Sequence, residues 1–171
     1  MKEKALIDFS AKEEGIQWET VNDVVMGGKS LSTMKITKDK TAVFQGTVSL
    51  KNYGGFASVR TTPHDFGLQG YDGLLIRVKG DGKQYRIRVK TDDNYEGIAY
   101  QSVFATKENT WMNIKMPFSK FIPVFRGSIV QNVPVLNPSS VRRIGFMIAE
   151  KQDGDFKLEI AWVKGYGEID L

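Results

Sequence analysis

The sequence contains no cysteine and a single histidine, His64, among its 171 residues. Without cysteine the chain can form neither a disulfide nor a thiolate nucleophile, and one histidine is too few for a histidine metal cluster. No stretch approaches the roughly 18 consecutive apolar residues that a membrane-spanning helix needs. The N-terminal segment also lacks the apolar core of a signal peptide. We therefore expect a cytoplasmic protein with no membrane span.

Charge of one sign is in only slight excess. Twenty-four basic residues stand against 20 acidic ones, which gives a formal net charge of +4 and a pI near 9.2. The sequence has no run of five or six like charges of the kind that forms a nucleic-acid-binding tail. Nucleic acid is therefore not predicted as a partner. The length is typical of one domain, so we expect residues 1–171 to fold as a single domain.

Most of the chain alternates apolar and polar residues with a period of two, which is typical of β-strands. Strand predictions of this kind cover Ala5–Phe9, Leu31–Thr37, Phe44–Leu50, Phe56–Thr62, Ile98–Thr106, Trp111–Met116, Ile144–Ala149 and Phe156–Val163. Helical signals are limited to short turns at Ser119–Phe121 and Asn137–Arg142. Two further alternating runs, within Leu74–Lys90, bring the total to about nine or ten short strands. This number predicts an all-β sandwich or barrel.

The tripeptide Gly80-Asp81-Gly82 is the strongest hairpin signal in the chain. It lies between two alternating runs, so we predict a β-hairpin over Leu74–Lys90. One face of this hairpin would be apolar. The other face would carry the cations Arg77, Lys79, Arg86, Arg88 and Lys90. Like charges opposite one another destabilise a sheet by roughly 0.2–1 kcal/mol per pair. Either neighbouring strands therefore bring acidic residues to this face, or the face binds an anionic partner.

The ten residues VNDVVMGGKS, from Val21 to Ser30, end like a phosphate-binding loop. That motif requires a first glycine five residues before Gly28, and the residue there is Asp23. A carboxylate at this point would repel phosphate. The residues after Ser30 alternate as in a strand, whereas the motif requires a helix. A nucleotide-binding loop is therefore excluded.

Signals for catalysis or metal binding are equally weak. The acidic loop from Asp92 to Gly97 has oxygen-bearing residues at alternate positions, but the twelfth position of an EF-hand would be Val103. A solvated turn is favoured over a one-loop calcium site. His64 and Asp65 could act as an acid–base pair, yet the chain has no nucleophile elbow and no second histidine. We predict no enzyme activity, no cofactor and no metal; an unrecognised enzyme using His64 or convergent carboxylates is the alternative.

Several short motifs follow one another along nearly the whole chain. They are Trp18-x-x-x-Asn22-Asp23-x-x-Met26-Gly27-Gly28-x-Ser30, Phe44-x-Gly46, Gly54-Gly55-Phe56-Ala57-Ser58-Val59-Arg60, Gly80-Asp81-Gly82 with Tyr85, Trp111 with Pro117-Phe118 and Phe121, Phe125-Arg126-Gly127, and Ile144-Gly145 with Gly154-x-Phe156. This ordered series resembles the complex I intermediate-associated protein 30 family. The resemblance implies a galactose-binding-like jelly roll, an all-β sandwich of two sheets. The glycines of VNDVVMGGKS would then shape a loop.

The resemblance also implies a function. Mitochondrial members of the family assist the assembly of respiratory complex I without catalysis, and related jelly rolls are carbohydrate-binding modules, some with a structural calcium. We therefore predict a non-catalytic module that binds a protein partner, such as an assembly intermediate of a respiratory complex, with a carbohydrate as the alternative ligand. The candidate binding residues are Trp18, Asn22, Asp23, Met26, Arg60, Arg86, Arg88, Tyr100, Phe125 and Arg126. Arginine and aromatic residues of this kind anchor protein interfaces, although a core position is the alternative for Trp18.

Overall fold

A computed structural model describes residues 1–10, 16–22, 30–51, 55–92, 97–149 and 152–168. Short 3-10 helices in this part of the chain span Phe118–Lys120 and Pro138–Ser140. The strands are β1 Lys2–Asp8, β2 Trp18–Asn22, β3 Leu31–Ile36, β4 Ala42–Val48, β5 Ala57–Thr61, β6 Gly73–Lys79, β7 Gln84–Thr91, β8 Ala99–Ala105, β9 Trp111–Pro117, β10 Ile122–Phe125, β11 Ser128–Ile129, β12 Val141–Ile148 and β13 Gly154–Gly167.

These strands form two antiparallel sheets. The six-stranded sheet has the order β3-β4-β13-β6-β9, and β1 also pairs with β13. The seven-stranded sheet has the order β11-β10-β8-β7-β12-β5-β2. Apolar residues of both sheets meet in a buried core cluster between them. The predicted all-β sandwich of two sheets is therefore confirmed.

Alternation along each strand decides which side chains enter the core. On β7, Tyr85, Ile87 and Val89 are fully buried. The residues between them point to the opposite face of the sheet, because successive side chains of a strand alternate in direction. Arg86 and Arg88 therefore lie on the outer face of the seven-stranded sheet, as the sequence predicts for these two residues.

The hairpin predicted over Leu74–Lys90 is wrong. β6 pairs with β9 and β13 in one sheet, whereas β7 pairs with β8 and β12 in the other. The Gly80-Asp81-Gly82 link therefore crosses between the sheets. A type I′ hairpin turn needs positive φ at both central residues, and Gly82 alone among these three has it, with φ of 90°. The sequence cannot distinguish the two arrangements, because both strands turn an apolar face to the core in either one.

Asp81 holds this crossing in place. Its carboxylate accepts hydrogen bonds from the Tyr85 hydroxyl at 2.9 Å and from the backbone N–H of Lys83 at 3.1 Å. It also accepts one from the backbone N–H of Lys157, on β13, at 2.9 Å. Burial, reinforced by the charge of Asp81, raises the pKa of Tyr85, so the hydroxyl remains a neutral donor. One side chain thereby connects both sheets.

Ser30, the last residue of VNDVVMGGKS, is fully buried. Its hydroxyl oxygen accepts a hydrogen bond from the backbone N–H of Ser49 at 3.0 Å. This contact joins the segment before β3 to the segment after β4, which is a structural role. Residues 23–29 of the same stretch lie outside the described residues.

The two short helical turns predicted from the sequence are confirmed, with small differences at their ends. In the second turn the Asn137 side chain accepts a hydrogen bond from the backbone N–H of Ser139 at 3.1 Å. Val141 and Arg142 already belong to β12. The turn ends there because the chain must become extended to pair with β7.

The Asp81 contacts generate a stability prediction. Replacing Asp81 with alanine removes three hydrogen bonds and leaves the buried Tyr85 hydroxyl without this acceptor. We expect the free energy of unfolding, measured by urea denaturation, to fall by about 2 kcal/mol. Asp39→Ala is the control, since Asp39 is exposed in a turn, and it should change stability by less than about 0.5 kcal/mol. Equal effects of the two substitutions would contradict the role assigned to Asp81.

Candidate binding cleft

The outer face of the seven-stranded sheet carries a cleft with a volume of about 520 Å³. Six cationic side chains line it: Arg60, Arg86, Arg88, Lys90, Arg126 and Arg143. The described lining contains no carboxylate. We refer to this surface, defined by those six residues, as the basic cleft. Its apolar part includes Val21, Phe56 and Met147.

A single row of residues, one from each of five neighbouring strands, crosses the floor of the basic cleft and ends at Glu19, which lies outside the described lining. In order across the sheet they are Gln101, Arg88, Gly145, Arg60 and Glu19. Arg88 and Arg60 are two strand spacings apart, which is about 10 Å between their backbones. A Cβ on Gly145 would lie 2.5 Å from a backbone oxygen of the neighbouring strand. Glycine therefore keeps the floor between the two arginines flat.

Glu19 partly neutralises one side of the basic cleft. Its Oε1 accepts a hydrogen bond from Arg60 Nε at 2.8 Å and another from Arg143 Nη1. These hydrogen bonds, the one from Arg60 first, lower the pKa of Glu19. One carboxylate thus serves two guanidinium groups, so this side of the cleft keeps a net positive charge.

Arg88 and Lys90 have no such acidic partner among the described residues. The Nε of Arg88 is buried and has no hydrogen-bond partner there. Burial, followed by the charges of Arg86 and Arg60, lowers the pKa of Arg88 to about 10, so Arg88 stays charged at neutral pH. Burial and then the neighbouring arginines also lower the pKa of Lys90. The cations on β7 therefore repel one another.

Gln101 lies beside Arg88 on the adjacent strand β8. Its side chain is nearly inaccessible, with 6% exposure, and its Oε1 has no hydrogen-bond partner among the described residues. The floor of the cleft thus offers an unused N–H of Arg88 and an unused oxygen of Gln101. Leaving a buried polar group unpaired costs about 1–3 kcal/mol. A ligand that supplies both an acceptor and a donor would recover this energy.

Four of the residues predicted from the sequence come together in the basic cleft. Arg60, Arg86, Arg88 and Arg126 all line it. Phe125 is 41% exposed, and the guanidinium of Arg126 lies 5.2 Å from the centre of its ring. The four arginines are thus the part of the predicted set that shares one surface, and Phe125 contacts it through Arg126.

Three other predicted residues point away from the basic cleft. Trp18 packs against the core and lies 5.9 Å from the ring of Phe9, as in the core alternative weighed for it. Tyr100 is 1% exposed in the core. The side-chain oxygen of Asn22 accepts a hydrogen bond from the Ser32 hydroxyl at 2.7 Å, which links β2 to β3. Asp23 and Met26 lie outside the described residues.

The sequence-based set omits the residues that complete the cleft. Arg143, Gly145, Gln101 and Glu19 are absent from it, and Lys90 appeared only as one cation of the predicted hairpin. The alternation around Ile144 could have indicated that Arg143 faces outward. Strand order could not be inferred, however, and it is the pairing of β12 with both β7 and β5 that brings these residues together.

His64, the residue of the alternative enzyme hypothesis, is exposed and lies outside the described lining of the basic cleft. Its ring packs edge-on against Phe66 at 5.1 Å. Residues 93–96 of the acidic loop considered for calcium lie outside the described residues. Across the described ranges no helix has the length and apolarity required to cross a membrane.

The Glu19 contacts predict a specific pH dependence. Because the folded pKa of Glu19 is lowered from 4.5, its ionised form adds stability above that pH. This contribution is lost as the pH falls through the folded pKa. The pair is partly exposed, so we expect Glu19→Gln to lower the unfolding free energy by less than about 1 kcal/mol at pH 7. The difference should shrink below about pH 4. Urea denaturation across this pH range measures the effect, with Glu108→Gln as the control. A difference in unfolding free energy between the native chain and Glu19→Gln that stayed constant with pH would contradict the assignment.

Solved structures share this two-sheet architecture. A family 11 carbohydrate-binding module from Clostridium thermocellum, in complex with a β-1,3-1,4-mixed-linked tetrasaccharide, matches with a TM-score of 0.70 at 18% identity over 99% of this chain and 98% of that chain. A family 29 carbohydrate-binding module matches with a TM-score of 0.55 at 12% identity, over 96% and 91% of the two chains. The jelly-roll prediction is therefore confirmed, while identities this low establish the fold alone.

Curated relatives show clearer sequence similarity. A Drosophila melanogaster protein named complex I intermediate-associated protein 30, mitochondrial, is 28% identical over 92% of this chain and 61% of its own length. Its Mus musculus namesake is 27% identical over 91% of this chain and 53% of its own length. An uncharacterized Schizosaccharomyces pombe protein is 31% identical over 82% of this chain and 74% of its own length. This chain therefore spans just over half the length of the fly and mouse relatives.

The family model described as complex I intermediate-associated protein 30 matches residues 7–160. That range includes every candidate binding residue predicted from the sequence and the whole of the basic cleft. The resemblance carried by the ordered motifs is confirmed, and the chain belongs to the complex I intermediate-associated protein 30 family.

Proposed function

We propose that this chain is a non-catalytic binding module that contacts a protein partner, an assembly intermediate of a respiratory complex, through the basic cleft. The observation that carries the proposal is the collection of six cations on one sheet face with no carboxylate in the described lining. The names of the fly and mouse relatives, which refer to association with complex I intermediates, support a partner of this kind.

The composition of the basic cleft suits a protein interface. Arginine is enriched at interfaces, and the most important residues there combine charge with buried apolar contact. Met147 and Phe56 supply apolar surface beside Arg60 and Arg88. Complementary charge also speeds the encounter of two proteins. A partner with an acidic surface would therefore associate rapidly and selectively.

The chemistry of the lining supports binding rather than catalysis. Ser58 carries the hydroxyl of the described lining, and it donates its hydrogen bond to the backbone carbonyl of Val21. A serine nucleophile needs an adjacent general base, and the ionisable side chains of this lining are arginines and one lysine. These groups bind and orient anions.

The cellular compartment remains a prediction. The sequence predicts the cytoplasm, whereas the fly and mouse relatives carry the word mitochondrial in their names. Fractionation of source cells with an antibody to the chain would decide between the two locations.

Affinity capture tests the proposed function. Arg88 and Lys90 lie two residues apart on the outer face of β7, and Arg77 and Lys79 have the same spacing on β6 of the other sheet. The double variant Arg88→Gln, Lys90→Gln should retain at most about a tenth of the partner captured by the native chain. The matched control Arg77→Gln, Lys79→Gln should retain most of it.

Mass spectrometry then identifies the captured proteins, and circular dichroism confirms that all variants are folded. Subunits of a respiratory complex should be present with the native chain and the control and depleted with the cleft variant. Equal capture by both double variants would contradict a role for the basic cleft.

Carbohydrate binding is the second candidate function, because the chain shares the fold of a module solved with a bound tetrasaccharide. Phe56 in the lining and Phe125 beside Arg126 provide aromatic surface. Isothermal titration calorimetry with the mixed-linked tetrasaccharide tests this candidate. Saturable binding that is lost in Phe56→Ala and kept in Arg88→Gln would favour it over the protein interface.

A further inference from the structure

We propose that the basic cleft binds an extended, acidic peptide segment whose carboxylates occur at alternate positions. This inference rests on the proposed function and specifies the chemistry of the partner. It follows from the spacing of the cations, from the unused hydrogen-bonding groups on the floor and from the position of Glu19.

The spacing of the cations on β7 matches an extended peptide. Arg86, Arg88 and Lys90 occupy alternate positions on one face of this strand. Side chains at alternate positions of any extended segment lie about 6.6–6.8 Å apart. A peptide lying along β7 with acidic residues at every second position would therefore place each carboxylate near one cation. Its intervening side chains would point away from the sheet.

The floor of the cleft requires more than a simple anion. Arg88 Nε needs an acceptor, and Gln101 Oε1 on the adjacent strand needs a donor. An acidic peptide supplies both, because its carboxylates accept hydrogen bonds and its backbone N–H groups donate them. A fully deprotonated inorganic anion such as sulfate lacks a donor, and a neutral sugar leaves the cationic charge uncompensated. An acidic peptide satisfies both requirements.

Glu19 already binds two cations of the cleft, Arg60 and Arg143, in the way that a ligand carboxylate would. Its carboxylate accepts hydrogen bonds from both Arg60 and Arg143. Removing this charge would free two guanidinium groups for the peptide. Glu19→Gln should therefore strengthen binding, and an increase in affinity cannot arise from loss of folded protein.

Fluorescence anisotropy tests the inference with three labelled peptides of equal length. The first alternates threonine and glutamate through four repeats, the second has glutamine in place of each glutamate, and the third groups the four glutamates together. We expect the alternating peptide to bind most tightly and the glutamine peptide to show no saturable binding. Raising the salt concentration should weaken the interaction, because the attraction is electrostatic.

The variants locate the binding site. Arg88→Gln should weaken binding of the alternating peptide by about tenfold or more, since a charge-assisted hydrogen bond contributes roughly 1.5–3 kcal/mol. Arg77→Gln removes an arginine from the other sheet and should change the dissociation constant less than about twofold. Glu19→Gln should lower the dissociation constant by at least about twofold, as expected for removal of one competing charge.

Four results would overturn the inference. Equal affinity for the alternating and grouped peptides, or equal losses in Arg88→Gln and Arg77→Gln, would indicate unspecific attraction. Binding of polygalacturonate in the absence of peptide binding would identify an acidic polysaccharide as the ligand instead. If affinity capture depends on the cleft and the peptide does not bind, the inference fails and the proposed function stands. If the peptide binds but the cleft variant captures as much partner as the control variant, the proposed function fails.

Discussion

Repulsion among the cations on one face of the seven-stranded sheet is the constraint on which the proposed site depends. Arg60, Arg88, Lys90 and Arg143 share this face, and the described residues place a single carboxylate, Glu19, against two of them. Burial makes the repulsion more costly, because charges are screened less when water is excluded. A folded chain tolerates this arrangement as long as the core and the sheet hydrogen bonds supply enough stability.

The core supplies that stability through the same alternation that exposes the cations. Tyr85, Ile87 and Val89 are buried on one side of β7, so the residues between them must face outward. Asp81 connects the start of this strand to the other sheet, which fixes its position in the sandwich. The basic cleft is thus a consequence of how β7 is anchored as well as of its composition.

Period-two alternation was sufficient to predict an all-β sandwich or barrel and the outward direction of Arg86 and Arg88, whereas the two-sheet jelly roll was implied by the family resemblance. The alternation could not predict strand partners, because the apolar face of a strand is the same whichever neighbour it pairs with. The supposed hairpin at Gly80 to Gly82 failed for this reason. Trp18 and Tyr100 were assigned to the site because aromatic residues anchor interfaces, but both lie on the core side of their strands. Arg143 and Gln101 became recognisable only when the strand order placed Arg143 beside Lys90 and Gln101 beside Arg88.

The jelly-roll fold does not determine what such a sheet face binds, so the ligand has to be inferred from the side chains of the face. Neutral sugars are held by stacking and by hydrogen bonds, whereas this face carries six cations beside its apolar lining. An anionic protein segment matches that charge, and the family relationship is compatible with a protein partner. The local chemistry and the family relationship are independent observations, and the local chemistry is the one that bears on the charge of the ligand.

Nuclear magnetic resonance of the arginine Nε–H groups tests the central claim most directly. The spectrum would be recorded with and without the alternating acidic peptide, after assignment of each signal by single substitution. The account predicts a large shift for Arg88, whose Nε–H has no partner among the described residues, and unchanged signals for Arg77 and Arg142. Shifts spread equally over all arginines, or confined to Arg77, would show that the basic cleft is not the binding surface.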